Sequence, residues 1–441
     1  MKHLLKQLIV DFHAGNVPSP SPRQIQIPKF PSRVRKAVTL IGMRRSGKTW
    51  SFYQIIQDLV KQGVPFEKMF YINFEDDRLL NIKTEDLQKL LEAYFEIYPS
   101  QASAKDLHFF MDEIHVVPGW EKFVRRILDT ESISLYLSGS SAKMLSKEIS
   151  TSLRGRTITR EIFPFSFREY LDHKQIPFSK IASTKEQAIL NHHAQKYLMA
   201  GGFPETLDLK PELHREIVQG YLDVVIYRDM IERYHIQNHS AVKHLLLHSI
   251  QNSATLISIH KIYLDLKSLG CPVSKDSLYQ FMNYFEDAFC LFTVPVYDLS
   301  LRKRSIKPKK VYAADTGLIT ALTIKSELDH ASRLETAVFN QLRRSGKDIF
   351  YYQTREGKKV DFLFQDHHGK RDLLQVSLSL RDPSTVKREV QALQGAMLEL
   401  GIRESCIVTL DEEKTIKVPE GTVHCLPFWR WGLSNCIDNQ E

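Results

Sequence analysis

The sequence predicts an α/β protein whose first half is built around a five-stranded parallel sheet. Three observations predict it: short apolar segments of strand composition alternate with helix-like segments, a glycine-containing string follows the first of them, and two acidic residues end the third. Strands that alternate with helices form a mostly parallel sheet that is covered on both faces. The loops after such strands meet at one edge of the sheet, where ligands bind.

Composition places the chain among ordinary globular proteins. Its 441 residues are 43% hydrophobic and 25% charged, which suggests about two to four domains. The 60 Lys and Arg against 52 Asp and Glu give a net charge of +8, which permits a nucleic-acid or acidic partner and requires neither. No stretch approaches the ~20 apolar residues of a membrane span. The five scattered cysteines contain no CxxC pair, so a reducing, cytoplasmic location is expected.

The predicted elements of the first half flank a proline-rich lead-in. Residues 1–15 have helical apolar spacing, and the five prolines between residues 18 and 31 predict an extended segment. A helix is predicted at 48–63, where it ends at a glycine. The strands are predicted at 36–42, 68–75, 106–113, 133–139 and 157–163.

The second half is predicted to be helical first and mixed α/β later. Residues 164–235 have helical character with a break at 200–205. Three further helical segments precede a strand at 291–298, and a basic loop is predicted at 301–310. The pattern from there to the end alternates between helix and strand.

A phosphate-binding loop is predicted directly after the first strand. The string GMRRSGKT follows the pattern G-x-x-x-x-G-K-[ST], and it stands between a strand and a helix, as this pattern requires. Its backbone N–H groups would cradle the phosphates, Lys48 would reach the β and γ oxygens, and the Thr49 hydroxyl would bind Mg²⁺. The nucleotide-binding residues predicted are Gly42, Met43, Arg44, Arg45, Ser46, Gly47, Lys48 and Thr49.

A pair of carboxylates ends the third strand. Asp112 is predicted to hold the metal shell, and Glu113 to orient and deprotonate the attacking water. Burying two adjacent charged groups at the end of a strand costs free energy, so their presence there suggests a function.

Polar residues also follow the fourth strand and precede the fifth. A hydroxyl of Ser138 or Ser140 would lie near the γ-phosphate and help to place the water. An arginine before the fifth strand could stabilise charge on the transferring phosphoryl group, in its own subunit or in a neighbour. Arg156 is the first candidate and Arg154 the second.

Together these segments resemble an AAA-type P-loop ATPase family of bacteria and archaea whose members carry a C-terminal domain called DUF4143. The resemblance rests on GMRRSGKT, YINFEDDRL, FFMDEIH, SGSSAKML, LRGR and FPFSFREYL, and it continues in GGFPE, YRDMIERY and VYAADTGL. It implies strand order 5-1-4-3-2, a helical lid, and Gly202 and Pro204 near the adenine. The domains expected are 1–35 (lead-in), 36–165 (ATPase core), 166–238 (lid), 239–305 (winged-helix-like) and 306–441 (C-terminal).

The second half suggests two further modules. Residues 275–289 would be the third helix of a winged helix, with Lys275, Gln280 and Asn283 as its groove-facing polar residues and its aromatic residues packed inside. The order of Glu335, Asp361 and residues 375–377 resembles the restriction-endonuclease-like core, in which carboxylates and a lysine build a metal site. Here Gln-Val-Ser stands where Glu-x-Lys is required, so DNA cleavage is not expected.

These observations predict a cytoplasmic, Mg²⁺-dependent ATPase that acts as a conformational switch, coupled to a DNA- or protein-binding second half. Two alternatives stay open: a metal-dependent nuclease that is regulated by ATP, and a non-hydrolysing binding module with ATP as a structural ligand. A homo-oligomer is also open, because Arg154 or Arg156 could act on a neighbouring copy.

Overall fold

The computed structural model describes residues 1–28, 30, 34–139, 153, 155–179, 181–323 and 328–434. The chain divides into two compact units, Met1–Phe163 and Pro164–Glu441. Among the described residues, none of the helices combines the length and the apolar character that crossing a membrane requires.

The first unit is built on a five-stranded sheet in which every pair of neighbouring strands is parallel. The strand order is β5-β1-β4-β3-β2, so the expected order 5-1-4-3-2 is confirmed. The central strands β1, β3 and β4 are almost wholly buried, which explains their continuous apolar runs. The strands are β1 Ala37–Ile41, β2 Met69–Asn73, β3 Leu107–Asp112, β4 Ile133–Ser138 and β5 Thr157–Glu161.

The helices of this unit bury one apolar stripe each. The last one buries residues 120, 123, 124, 127 and 128, the i, i+3, i+4, i+7 spacing of an amphipathic helix. Burial of each large apolar side chain contributes roughly 1.5–3 kcal/mol. The helices are α1 Lys2–Ala14, α2 Lys48–Lys61, α3 Thr84–Ile97 and α4 Trp120–Thr130.

The second unit begins with helices, as expected from the sequence, and a π-helical segment, Val225–Glu232, directly follows the helix Pro211–Val224. The α-helices are α5 Phe167–His173, α6 Thr184–Ala200, α7 Pro211–Val224, α8 His239–Gln251, α9 Ile259–Ser268, α10 Lys275–Asp287, α11 Leu301–Ile306, α12 Thr316–Leu322, α13 Leu328–Arg344, α14 Pro383–Leu400 and α15 Phe428–Ser434.

Two sheets complete the second unit. A three-stranded antiparallel sheet has the order β6-β8-β7, and a six-stranded mixed sheet has the order β13-β14-β12-β11-β10-β9. In the larger sheet β9, β10 and β11 are antiparallel, whereas β11, β12 and β14 are parallel. The strands are β6 Thr255–Ile257, β7 Leu291–Val294, β8 Lys309–Ala313, β9 Asp348–Gln353, β10 Lys359–Gln365, β11 Arg371–Val376, β12 Glu404–Thr409, β13 Lys414–Val418 and β14 Gly421–Pro427.

The basic segment 301–310 is not the loop that the sequence predicts. Its first part is the helix α11, because the Ser300 side chain accepts a hydrogen bond from the backbone N–H of Lys303 at 3.4 Å and caps the helix start. Its last part belongs to β8, where Lys309 pairs with Ile257. The preceding strand is shorter than expected and ends at Val294, because Pro295 has no N–H to give to the sheet.

The interpretation of all aromatic residues of α10 as packing residues is also wrong in one case. Phe285 is fully buried, and the Tyr284 ring stacks on that of Tyr234 at 3.5 Å. Tyr279, in contrast, is 58% exposed. The reason is helical spacing, since positions 278, 281, 282 and 285 already form the buried stripe of this helix.

Two of the segments on which the family resemblance rests meet inside the second unit. The buried Asp315 carboxylate accepts hydrogen bonds from the backbone N–H groups of Gly202 and Gly317, both at 2.8 Å. A Cβ at Gly201 would lie 1.8 Å from Asp315 Oδ1, and one at Gly202 would lie 2.2 Å from the Phe165 carbonyl oxygen. These glycines are therefore required by close packing.

The buried Asp315 makes stability depend on pH. Burial raises its pKa from 3.8 to about 6, although the two backbone donors oppose the shift. Between about pH 4 and pH 6 the folded protein keeps a proton that the unfolded chain releases, so the free energy of unfolding should fall by about 3 kcal/mol as pH rises. Urea unfolding of the wild type and of Asp315→Asn at several pH values measures this. Equal slopes for the two proteins would contradict it.

Candidate functional site

The loop after β1 has the backbone geometry of a phosphate cradle. Gly42 has φ 142° and Gly47 has φ 98°, a region that favours glycine. A Cβ at Gly42 would lie 2.2 Å from the Ile162 carbonyl oxygen, so no larger residue fits there. Gly47 forms the N-cap of α2, and the free N–H groups at such a helix start favour anions.

Lys48 extends back along this loop. Its ammonium donates to the carbonyl oxygens of Gly42 and Met43, at 3.2 and 3.4 Å. It also lies 4.0 Å from the Glu113 carboxylate, and its side chain is only 6% exposed. A buried ammonium that donates to neutral carbonyl oxygens of the loop is stabilised further when an anionic group, such as a phosphate, binds beside it.

The Asp112 carboxylate is the centre of a hydrogen-bond network. Its Oδ2 accepts from the Thr49 hydroxyl at 2.6 Å and from the Tyr71 hydroxyl at 2.9 Å. Its Oδ1 accepts from the Ser138 hydroxyl. Asp112 and Ser138 end the neighbouring strands β3 and β4, and Tyr71 lies in β2. Thr49 lies in the first turn of α2, so Asp112 and Thr49 present adjacent oxygen atoms.

Burial decides the electrostatics of Asp112. The side chain is almost fully buried, and burial raises its pKa, an effect that the three hydroxyl donors oppose and the neighbouring Glu113 charge reinforces. A cation beside this carboxylate would stabilise its ionised form. The environment of Asp112 therefore favours binding of a cation beside its carboxylate.

Glu113 is held apart from Asp112 by an unusual backbone conformation. It has φ 51°, and its backbone N–H donates to the Ser138 hydroxyl oxygen at 2.9 Å. Its Oε2 lies 3.2 Å from His115 Nδ1. Burial opposes its ionisation, but His115, Lys48 and Arg44 outweigh burial and lower the pKa of Glu113 to about 2. The carboxylate is therefore ionised at every physiological pH.

The other predicted loop residues have distinct surroundings. Met43 is 2% exposed and Ser46 is fully buried. Arg44 lies 3.8 Å from Glu75. Arg45 has φ 65°, which shapes the bend of the loop. Their roles in nucleotide binding stay predictions.

The arginine and serine candidates lie in different places. Arg156 comes just before β5, and its carbonyl oxygen accepts from the N–H of Ala37 at 2.9 Å, at the amino end of the sheet. The cradle leaves the other end of β1, about 16 Å away at ~3.3 Å per residue. The Arg156 guanidinium is bonded to Asp129. Its action on a phosphate, in its own subunit or in a neighbouring copy, stays a prediction. Arg154 and Ser140 lie outside the described residues.

The predicted adenine contact belongs to the second unit. Pro204 starts a short 3-10 turn, Pro204–Thr206, one residue after the glycine pair that packs on Asp315. The packing explains this segment without a ligand, and the adenine contact stays a prediction.

Sequence reasoning missed three residues of this site. Arg23, from the proline-rich lead-in, donates to the Ser46 carbonyl oxygen at 2.9 Å and to that of Phe163. Tyr71 donates to Asp112, and His115 lies beside Glu113. Tyr71 is the central residue of β2, and a tyrosine in a strand gives no local signal of a contact with Asp112. Nothing in the sequence around Arg23 indicates that this segment returns to the loop.

The residues of the expected nuclease-like site also come together, but around a lysine. Glu335 and Asp361 both accept hydrogen bonds from Lys310, a residue of β8. Neither Lys387 nor Arg388, which lie closer to Asp361 along the sequence, takes this position.

Two family models match the chain. Residues 34–171 match an AAA domain, the P-loop class expected from the sequence. Residues 191–329 match a domain of unknown function, DUF8612. The expectation of DUF4143 is corrected accordingly; the short segments behind it, such as GGFPE, are helix stops with little family specificity. Both matches end before β9, the first strand of the six-stranded sheet.

Three similar proteins extend the comparison along the chain. "Uncharacterized protein MJ1544" of Methanocaldococcus jannaschii is 35% identical over 422 residues, which are 93% of this chain and 91% of that protein. An "Uncharacterized protein" of Haemophilus influenzae is 28% identical and covers 73% of this chain and 78% of its own length. "Uncharacterized protein MJ1637" of M. jannaschii is 23% identical, with 82% and 80% covered.

Proposed function

This chain belongs to the same family as MJ1544 of M. jannaschii. Because its residues 34–171 match an AAA domain, we propose that it is an Mg²⁺-dependent ATPase that works as a conformational switch. The single observation that supports this most is the 2.6 Å hydrogen bond between Thr49 and Asp112, beside the buried Lys48 ammonium. The residues proposed to bind phosphate, to bind the metal and to act as the general base lie close together after β1 and β3.

The donor set fits a magnesium ion. The Thr49 hydroxyl and the Asp112 carboxylate are oxygen ligands of the kind that Mg²⁺ prefers. Both atoms are already adjacent, and Ser138 and Tyr71 hold the carboxylate in place. When bound, Mg²⁺ would neutralise the phosphate charge that develops during hydrolysis.

The protein's own groups would position the triphosphate and the water. Backbone N–H groups of the loop bind phosphate oxygens. The Lys48 ammonium also binds phosphate oxygens and gives up its hydrogen bonds to the loop carbonyls. Glu113 orients the attacking water and accepts its proton at a carboxylate oxygen. When Lys48 turns to the phosphate, Glu113 loses part of the charge that lowers its pKa, and it becomes a stronger base.

Arg23 supports a path from the nucleotide to the rest of the chain. Its guanidinium bonds both the phosphate loop, at Ser46, and Phe163, the last residue of the first unit. A change in the geometry of the loop would therefore alter the hydrogen bonds that join it to Phe163.

Removal of Arg23 should weaken nucleotide binding without removing a catalytic group. Arg23→Ala leaves the Ser46 carbonyl without this donor, and we expect about tenfold weaker ATP binding, or ~1.4 kcal/mol. Titration with a fluorescent ATP analogue measures this. Arg35→Ala is the matched control, because Arg35 bonds backbone oxygens of Asp129 and Glu131 instead. Equal affinities for the two variants would contradict the role.

The second half is proposed to be the output of the switch. The order α8-β6-α9-α10-β7-α11-β8 with sheet order β6-β8-β7 supports a winged-helix-like module. Lys275, Gln280 and Asn283 are exposed on α10, and α13-β9-β10-β11-α14-β12 supports the restriction-endonuclease-like module. Modules of both kinds commonly bind DNA or other proteins, and we propose that the second half of this chain binds DNA or a protein partner.

The proposed function is tested by measuring phosphate release from ATP with Mg²⁺ and with EDTA. The assay is repeated with single- and double-stranded DNA at low and high salt. We expect Mg²⁺-dependent release, and a DNA effect that weakens steeply with salt if the basic residues 302–310 contact the phosphate backbone. ATP that stays bound without any hydrolysis would instead support a structural role for the nucleotide.

A further inference from the structure

A buried lysine lies between two carboxylates in the second unit. Lys310 of β8 donates to Glu335 Oε1 and to Asp361 Oδ1, both at 2.7 Å. Glu335 comes from α13 and Asp361 from β10, so three separate elements meet at one ammonium group. The three side chains are only 9%, 15% and 13% exposed.

The carboxylates are fixed by further donors. The Tyr312 hydroxyl donates to Glu335 Oε1 at 2.7 Å, the same oxygen that accepts from Lys310. The Val376 backbone N–H donates to Asp361 Oδ2 at 3.0 Å. Burial opposes the charge of Lys310, but the two carboxylates outweigh it and raise the lysine pKa. The ammonium is therefore fully charged here.

The third residue of the expected metal site is also engaged. Gln375 Oε1 accepts from the Asp361 backbone N–H at 3.0 Å, and its Nε2 donates to Glu389 at 2.7 Å. Glu389 in turn lies 2.6 Å from Arg388. Both ends of the Gln375 amide are thus used for holding β10 and α14 in place.

This arrangement does not fit a divalent metal. Mg²⁺ and Mn²⁺ need several oxygen atoms with free lone pairs around one point. Here one oxygen of each carboxylate faces the same ammonium, and the amide oxygen of Gln375 is taken by a backbone N–H. Lys310 and a metal would compete for the same two oxygen atoms.

We propose that the Lys310 ammonium occupies the position of a cation between Glu335 and Asp361. It thereby prevents the two carboxylates from binding a divalent metal, and it joins β8 to the six-stranded sheet. The restriction-endonuclease-like module then lacks a metal centre in the resting protein, and its acidic pair has become a structural joint with the neighbouring three-stranded sheet. The proposal does not depend on ATP hydrolysis in the first unit.

The first test compares Mn²⁺ binding by the nucleotide-free wild type and Asp361→Asn. Electron paramagnetic resonance of free Mn²⁺ gives the number of bound equivalents. The variant keeps the Lys310–Glu335 pair and should fold. We expect identical titrations, because the wild type offers no metal site there. One Asp361-dependent equivalent in the wild type, or Mn²⁺-dependent DNA cleavage that Lys310→Met abolishes, would overturn the proposal and make Lys310 a nuclease lysine.

The second test removes the lysine. Lys310→Met should gain one Mn²⁺ equivalent, and Lys310→Met with Asp361→Asn should lose it again. A folded Lys310→Met without this gain contradicts the proposal.

The fastening role has its own measurement. Lys310→Met should melt at a lower temperature or fail to fold, because two carboxylates then stay buried without their cation. Lys310→Met with Glu335→Gln removes opposite charges together and should recover at least half of the lost melting temperature or restore soluble protein. A double variant no better than the single one overturns the charge-based joint.

Discussion

Replacement of Glu113 by Gln should leave ATP bound but lower its turnover by about 10²- to 10⁴-fold, the usual contribution of a general base. Gln has nearly the same shape as Glu, and its amide oxygen can still lie about 4.0 Å from the Lys48 ammonium, as Glu113 Oε1 does. It cannot accept a proton from the attacking water. The ATP affinity should change by less than threefold. Steady-state phosphate release and titration with a fluorescent ATP analogue measure the two effects separately.

Glu67→Gln is the matched control for this variant. Glu67 is an exposed glutamate of the same unit, away from the carboxyl ends of the strands. It should hydrolyse ATP at the wild-type rate. If Glu113→Gln releases phosphate as fast as Glu67→Gln, the base is another group, and the assignment of Glu113 is wrong.

Replacement of Lys48 by Ala should weaken ATP binding itself. Hydrogen bonds from a charged donor contribute about 1.5–3 kcal/mol, so we expect roughly 10- to 150-fold weaker binding. Turnover should fall further, because the same ammonium faces the phosphate charge that develops during reaction. Isothermal titration with ATP and Mg²⁺ measures the affinity, and phosphate release measures the rate.

Lys61→Ala tests whether any lysine of α2 has this effect. Lys61 ends the same helix, and its side chain is 74% exposed. Its removal should change ATP affinity by less than twofold. Thermal unfolding of both variants checks that Lys48→Ala is folded. Unchanged ATP affinity in a folded Lys48→Ala protein would exclude the cradle as the nucleotide site.

Local sequence patterns predict the elements of the first unit well, because each pattern has a local physical cause. All five strands were expected within two residues of their ends. For β1, β3 and β4 the reason is that a central parallel strand requires a continuous apolar run. The glycine string predicted the bend that the φ angles of Gly42 and Gly47 display. Local patterns failed at 301–310, where basic character suggested a loop, although Ser300 caps a helix and Lys309 joins a sheet.

The sequence by itself determined the strand segments of the first unit, the bend of the glycine string and the acidic pair at the end of β3, because these depend on neighbours within a few residues. Only the tertiary structure decided which distant groups complete them. Arg23 reaches Ser46, Tyr71 holds Asp112, and Lys310 joins Glu335 to Asp361. Such contacts depend on how sheets and helices pack, and an exposed arginine or lysine has the same local sequence signal as a buried one.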